Sequence, residues 1–309
     1  MKIEMNTQNK ALREGFEEFI KYCIVRDCTD STKINYRTTM RNFNKFCPEN
    51  TFLNDINKNT IEDYICYLRE NTAMSNVSIS IWLQRLKAVF NYLHNSRHMD
   101  KITFPVIRCE KKVKEVYTDE ELKLLLEKPK LGLCNFTEYR NWVMINYLLS
   151  TGNRRNTLVN IKITDIDFEG GFIKLTTTKN KKQQYIPLSA TLSKILKDYL
   201  KHRGGQPDDY LFCDAYGNKL NTDNLRISLT RYHKRRGVEK TSIHIYRHTF
   251  AKKWILAGGD IFRLQKILGH SSLDVVKEYV EMFSHDLQKD FDKFNALEQI
   301  QRKGERIRF

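Results

Sequence analysis

Long apolar runs are missing from this 309-residue chain. No stretch approaches the roughly 18 to 20 consecutive apolar residues of a bilayer-spanning helix. Acidic and amide side chains break up the amino-terminal MKIEMNTQNKALREGFEEF, which leaves no apolar signal core. Paired cysteines are missing as well. The seven cysteines, at 23, 28, 47, 66, 109, 134 and 213, are odd in number and form no CxxC pair or His/Cys ligand spacing. Reduced thiols of a cytosolic protein are expected, rather than a disulfide framework or a zinc site. Acidic charge is in short supply, with 37 Asp and Glu against 53 Lys and Arg, a formal net charge of +16. Such an excess on a folded chain points to a polyanionic partner, nucleic acid first, because released phosphate counterions drive association.

What is present argues for a folded protein. Hydrophobic residues make up 40% and aromatics 11%, too much for a disordered or collagenous chain. At about 150 residues per domain the length predicts two domains, each able to bury a core. Residues 1–108 carry net +4 and residues 109–309 net +12. Only Gly15 and Gly132 precede Gly152, and the other glycines follow. The front therefore reads as nearly all helix and the back as mixed α and β, a mainly α chain with one small antiparallel sheet.

Four periodic segments fill the front, near 11–25, 31–47, 59–71 and 76–95. Asp30 or Ser31 is expected to cap the second, Thr60 with Asp63 the third, and Ser75 the fourth. In the fourth, Ile79, Trp82, Leu83, Leu86, Val89, Phe90 and Leu93 trace one apolar stripe, the mark of a bundle core. A first domain of residues 1–107 is followed by a charged, aperiodic linker at 108–116 (RCEKKVKEV), and a second domain runs over 117–309. Thr118 and Glu121 cap its first helix, near 118–127, and another is expected near 136–151. From Asp165 to Ser189 the pattern alternates in twos around Gly170-Gly171 and the polar tip Lys179–Lys182, which predicts three short strands. Further helices are expected near 189–202, 222–236, 243–257, 260–268, 272–281 and 286–300. Gly258-Gly259 serves as a stop, and Asp260 caps the next start.

Chemistry-bearing residues gather in the second domain. In HIYRHTFA, His244 and Arg247 lie three apart on one helical face, suited to clamping a phosphate group between an imidazole and a guanidinium. His244 and His248 also have a metal-ligand spacing, but Ile245 stands where a zinc hydrolase needs Glu. An ordinary basic helix is the competing reading. Thr151-Gly152 breaks a helix, and Arg154 follows in the first turn of the next, poised to reach a ligand or to pair with Asp165 or Asp167. Lys179 sits at the hairpin tip. Leu268-Gly269-His270 ends one helix and Tyr279 follows nine residues later; each alone reads as a terminus or as packing.

Arg154, Lys179, His244-x-x-Arg247, Leu-Gly-His270 and Tyr279 nevertheless occur together in this order. The arrangement resembles the tyrosine recombinase, or phage integrase, family over nearly the whole chain. The helical front is similar to its SAM-like core-binding domain, and the back to its α+β catalytic domain. The resemblance implies a site-specific DNA recombinase that cuts and rejoins strands through a 3′-phosphotyrosyl bond on Tyr279 and a Holliday junction. It further implies that Arg154 and Arg247 hold the non-bridging oxygens and that Lys179 protonates the 5′ leaving oxygen. By the same resemblance His244 positions or deprotonates Tyr279, and His270 donates to a non-bridging oxygen. No ATP, metal or other cofactor is implied, and no membrane. The implied partners are double-stranded recombination sites and three further copies in a tetramer, joined by exchange of a tail helix at 286–300, in the cytoplasm on the nucleoid. Two departures stand out. Thr157 occupies a position where the family usually carries an acid, and Asn153 one that is usually apolar. With no arm-binding module before the core-binding segment, a simple recombinase is expected, one that integrates or excises a mobile element, with dimer resolution or DNA inversion as the alternative and a catalytically inactive DNA-binding protein as the reading from a different class.

Overall fold

The computed structural model describes residues 9–109, 114–176 and 183–269, with 295 and 297. The chain divides into two compact units, residues 1–112 and 113–309. In the first, α1 (Leu12–Val25), α2 (Asp30–Phe43), α3 (Lys58–Asn71) and α4 (Asn76–Asn95) form an all-helical core. The stripe on α4 turns inward, with Ile79, Leu86 and Leu93 fully buried and Trp82 partly so. Rings fill the centre: Phe43 meets Tyr64 edge-on at 4.9 Å and Phe90 at 5.8 Å, geometries that add to simple area burial.

Two caps differ from expectation. The Thr29 hydroxyl, not Asp30 or Ser31, accepts from the Thr32 amide and starts α2. Helix α3 begins earlier than Thr60, because Asn57 accepts from the Asn59 and Thr60 amides while Thr60 Oγ1 accepts back from the Asn57 amide. Asn caps better than Thr, so the stronger residue upstream takes the position and Thr60 becomes the returning partner. Ser75 caps α4 as expected.

The second unit is built around α6 (Phe136–Thr151). Its residues from Tyr139 to Ile145 are all buried, and it packs against α5 (Asp119–Leu126), α8 (Ala190–Arg203), α9 (Thr222–Arg235) and α10 (Ile243–Leu256). Thr118 and Glu121 form the expected reciprocal cap of α5. A short α7 (Arg155–Asn160) leads to strands β1 (Ile166–Asp167), β2 (Phe172–Leu175) and β3 (Gln184–Pro187), antiparallel in the order β1-β2-β3. Ile166, Ile173 and Ile186 lie side by side on the buried face. At the β1–β2 turn, Asp167 Oδ1 accepts from the Glu169 and Gly170 amides. The final described helix, α11 (Ile261–Leu268), is capped by Asp260, and Gly258 at φ 75° ends the helix before it. The helices expected at 272–281 and 286–300 lie outside the described residues.

Candidate active site

Three segment ends meet at one point. Helix α6 stops at Gly152, which takes the left-handed conformation with φ 62°. Gly152 also touches two other helices: a Cβ there would stand 2.7 Å from Leu268 Cδ2 on α11 and 2.7 Å from Phe250 Cδ1 on α10. Absence of a side chain thus lets α6, α10 and α11 close together while the chain turns a corner. Arg154 follows as the N-cap of α7, one position earlier than the first-turn place its sequence suggests.

Arg247, on α10, is only 6% exposed. Its Nη1 donates to the Gly152 carbonyl at 2.9 Å and its Nη2 to the Leu268 carbonyl at 2.7 Å. Arg154 Nη1 reaches the same Leu268 oxygen at 3.4 Å. Two guanidiniums from distant sequence positions are therefore drawn together by one backbone carbonyl at the end of α11. The negative end of that helix's dipole favours cations there.

His244 lies one turn before Arg247 on α10 and keeps an edge open to solvent. Desolvation of its ring, then the positive charges of Arg155, Arg247 and Arg154, hold its pKa below the ordinary histidine value. These surroundings favour the uncharged imidazole over the imidazolium. His248, its i, i+4 neighbour, completes no metal site: among the described residues no group of three His, Cys, Asp or Glu could hold an ion.

The structure thus brings Arg154, His244 and Arg247 together. Lys179, His270 and Tyr279 lie outside the described residues. The two elements that lead into the first pair are joined, however. Gln184, five positions after Lys179, begins β3, and its Nε2 donates to the carbonyls of Lys266 and, at 2.8 Å, Ile267. Gly269, immediately before His270, has φ 62°, and a Cβ on it would come within 2.7 Å of Gln184 Oε1. Sequence reading had passed over Gln184; only its place at the foot of the hairpin marked it.

The two departures also find their surroundings. Asn153 is 5% exposed, and its Nδ2 donates at 2.8 Å to the hydroxyl of Tyr147, a fully buried ring. A polar residue at 153 gives the phenol buried six residues earlier a hydrogen-bond partner. Thr157 is buried on α7, near Asp165, Lys174 and Thr176.

Comparison with known proteins covers both units. The sequence model of the phage integrase family matches residues 115–285, and that of the phage integrase SAM-like domain matches residues 10–113. The chain belongs to the phage integrase family, the tyrosine recombinases, enzymes of site-specific recombination. It is 30% identical over 302 residues to the tyrosine recombinase XerA of Pyrococcus furiosus, covering 95% of this chain and 98% of that protein. It is 28% identical over 297 residues to a tyrosine recombinase of Pseudothermotoga lettingae, covering 94% and 98%. Its fold is similar to the Tn1549 transposon integrase solved in complex with transposon right end DNA, with TM-score 0.75, 18% identity and coverage of 87% and 94%. A lambda integrase dimer bound to a COC′ core site gives TM-score 0.71 at 18% identity, covering 87% and 95%. No helix among the described residues is long and apolar enough to cross a membrane.

Proposed function

We propose that the chain breaks and rejoins DNA phosphodiesters with Tyr279 as nucleophile. The observation that carries this reading is the convergence of Arg154 and Arg247 on the Leu268 carbonyl, with His244 one turn before Arg247 on the same helix. Two planar guanidiniums suit the non-bridging oxygens of a phosphate, whose charge grows in the pentavalent transition state. His244 takes up or orients the Tyr279 proton. The phenolate then attacks phosphorus, and a 3′-phosphotyrosine forms. Lys179 protonates the departing 5′ oxygen, and His270 donates to a non-bridging oxygen. Attack by a partner strand's 5′-hydroxyl reverses the step and yields a Holliday junction. The covalent link conserves the bond energy, so the residues named complete the cycle without nucleotide or metal.

The net charge of +16 supports double-stranded DNA as the partner. Four copies synapse two sites, with the tail at 286–300 passing to a neighbour, in the cytoplasm on the nucleoid. Integration or excision of a mobile element is the role favoured by the unusual residues at 153 and 157. Dimer resolution or DNA inversion is the second reading. Domain bounds of 1–107 and 117–309 with a linker between them fit this division of labour.

A nicked suicide substrate, which lets the cut end diffuse away, tests the assignment. The wild-type chain is expected to accumulate a covalent adduct, and Tyr279→Phe to bind the same DNA and form none. An adduct persisting in Tyr279→Phe removes Tyr279 from the mechanism.

A further inference from the structure

The end of α11 is held by side chains from three directions. Arg247 and Arg154 take the Leu268 carbonyl. The two preceding carbonyls, of Lys266 and Ile267, both accept from the single amide nitrogen of Gln184. The last carbonyls of a helix have no intrahelical partner and must be satisfied otherwise. The Gly269 amide already donates to the Lys266 carbonyl at 3.0 Å, so the Gln184 amide adds a second donor there and reaches Ile267 from 83 residues away in sequence.

Its origin matters. Gln184 is the first residue of β3 and pairs across the sheet with Leu175, the last of β2. The sheet behind it is anchored by Ile173 and Ile186 in the core, so the amide projects from a rigid base. A Cβ on Gly269, already disfavoured at φ 62°, would stand 2.7 Å from the Gln184 Oε1, so either that oxygen or the Leu268-Gly269 corner would have to shift. The next residue in the chain is His270.

We infer that Gln184 is a positioning residue for strand cleavage: by fixing the end of α11 against β3, it sets where the Leu268 carbonyl stands and so where Arg154 and Arg247, which both bond to that oxygen, are held. The inference rests on the phosphotyrosine chemistry proposed above. A constellation of this kind loses rate steeply with small displacements, about 10²-fold for an error near 1 Å. Gln184→Ala removes both donors. Gln184→Glu keeps the shape but aims a carboxylate at two carbonyl oxygens, which repels the corner. Gly269→Ala pushes on the same contact from the other side, through its positive φ and the 2.7 Å approach to Gln184 Oε1.

The experiment compares single-turnover adduct formation on the nicked substrate for the wild type, Gln184→Ala, Gln184→Glu, Gly269→Ala and Lys179→Ala. Equilibrium binding to the same DNA and thermal unfolding are measured alongside. A second substrate carries sulfur in place of the 5′-bridging oxygen; a thiolate leaves without needing a proton. Gln184→Ala, Gln184→Glu and Gly269→Ala are expected to slow the adduct step 10- to 100-fold. Their DNA affinity should stay within about two-fold of the wild type, and bridging sulfur should not restore them. Lys179→Ala is expected to be restored by the sulfur.

Wild-type rates in Gln184→Ala and Gln184→Glu would overturn the inference, and so would full restoration of Gln184→Ala by sulfur, which would place its effect on the proton donor. If Gln184→Ala fails to fold, Gln184→Glu and Gly269→Ala decide the matter by the same two rates. Absence of any adduct from the wild type would instead overturn the underlying reading of Tyr279.

Discussion

Gly152→Ala probes the point where α6, α10 and α11 meet. A residue with a Cβ at φ 62° pays roughly 1 kcal/mol for the left-handed conformation alone. The new methyl would also stand 2.7 Å from Leu268 Cδ2 and from Phe250 Cδ1, well inside contact distance. Overpacking of that kind costs typically 1–3 kcal/mol, so the variant should lose about 2–4 kcal/mol, a large part of an ordinary domain's stability. The assay is urea unfolding followed by tryptophan fluorescence in a Trp82→Phe background, so that only Trp142 and Trp254, both in the second unit, report. Leu268→Ala, introduced on top of Gly152→Ala, removes one of the two clashing atoms. The double variant should therefore lose less than the sum of the singles, a coupling of 0.5 kcal/mol or more. A Gly152→Ala loss at or below about 1 kcal/mol, with additive behaviour against Leu268→Ala, would refute the close approach and leave only the backbone term.

Asn153→Leu should cost about 1–3 kcal/mol, because it strands the buried Tyr147 hydroxyl; adding Tyr147→Phe should recover most of that loss, and a double variant no better than the single would show the pair to be incidental. His233 is fully buried, donates through Nδ1 to the Leu229 carbonyl, and receives the Tyr246 hydroxyl at Nε2, 2.6 Å away. Burial lowers its pKa in the fold, so the unfolded chain takes up the proton first, near pH 6.5. Stability is then present above that pH and lost as pH falls toward the folded value, with a slope of at most about 1.4 kcal/mol per pH unit from this group. His233→Gln should flatten the curve between pH 6.5 and 5 relative to the wild type; an unchanged slope in urea titrations would sink the assignment. His244 is depressed in both proteins, so the difference between the two curves belongs to His233.

Much of this was legible beforehand wherever a local rule decides. Stripes at helical spacing gave α1 to α4, Ser75, Thr118 and Asp260 cap as written, and Gly170-Gly171 turns the first hairpin. The caps at Thr29 and Asn57 differ from expectation because several neighbouring polar residues satisfy the same pattern. Helix α6 was legible as a helix but not as the centre. It is buried on every side, carrying Arg140 and Asn141 inward, where Ser228 and the Cys213 carbonyl receive them. Polar residues in a segment normally signal an exposed face, and here they signal a partner 70 to 90 residues away.

The site shows the same division more sharply. Residue types and their order named Arg154, His244 and Arg247, and the structure brings those three together. What the two arginines share is a backbone oxygen, the Leu268 carbonyl, which no side-chain pattern can announce. That oxygen has a definite task. Arg247 Nη2 and Arg154 Nη1 both bond to it, so they lie no more than about 6 Å apart. At that separation two unit charges repel by about 3 kcal/mol at an effective dielectric of 20. Leu268 and Gly152 offer carbonyls to Arg247, and the end of α11 adds roughly half a negative charge. The two cations are thereby held together before any phosphate arrives. Catalysis by charge stabilisation gains most when donors need no reorganisation at the moment of reaction. On the function proposed for Arg154 and Arg247, the end of α11, with Gln184 bonded to it from β3, is the source of that preorganisation.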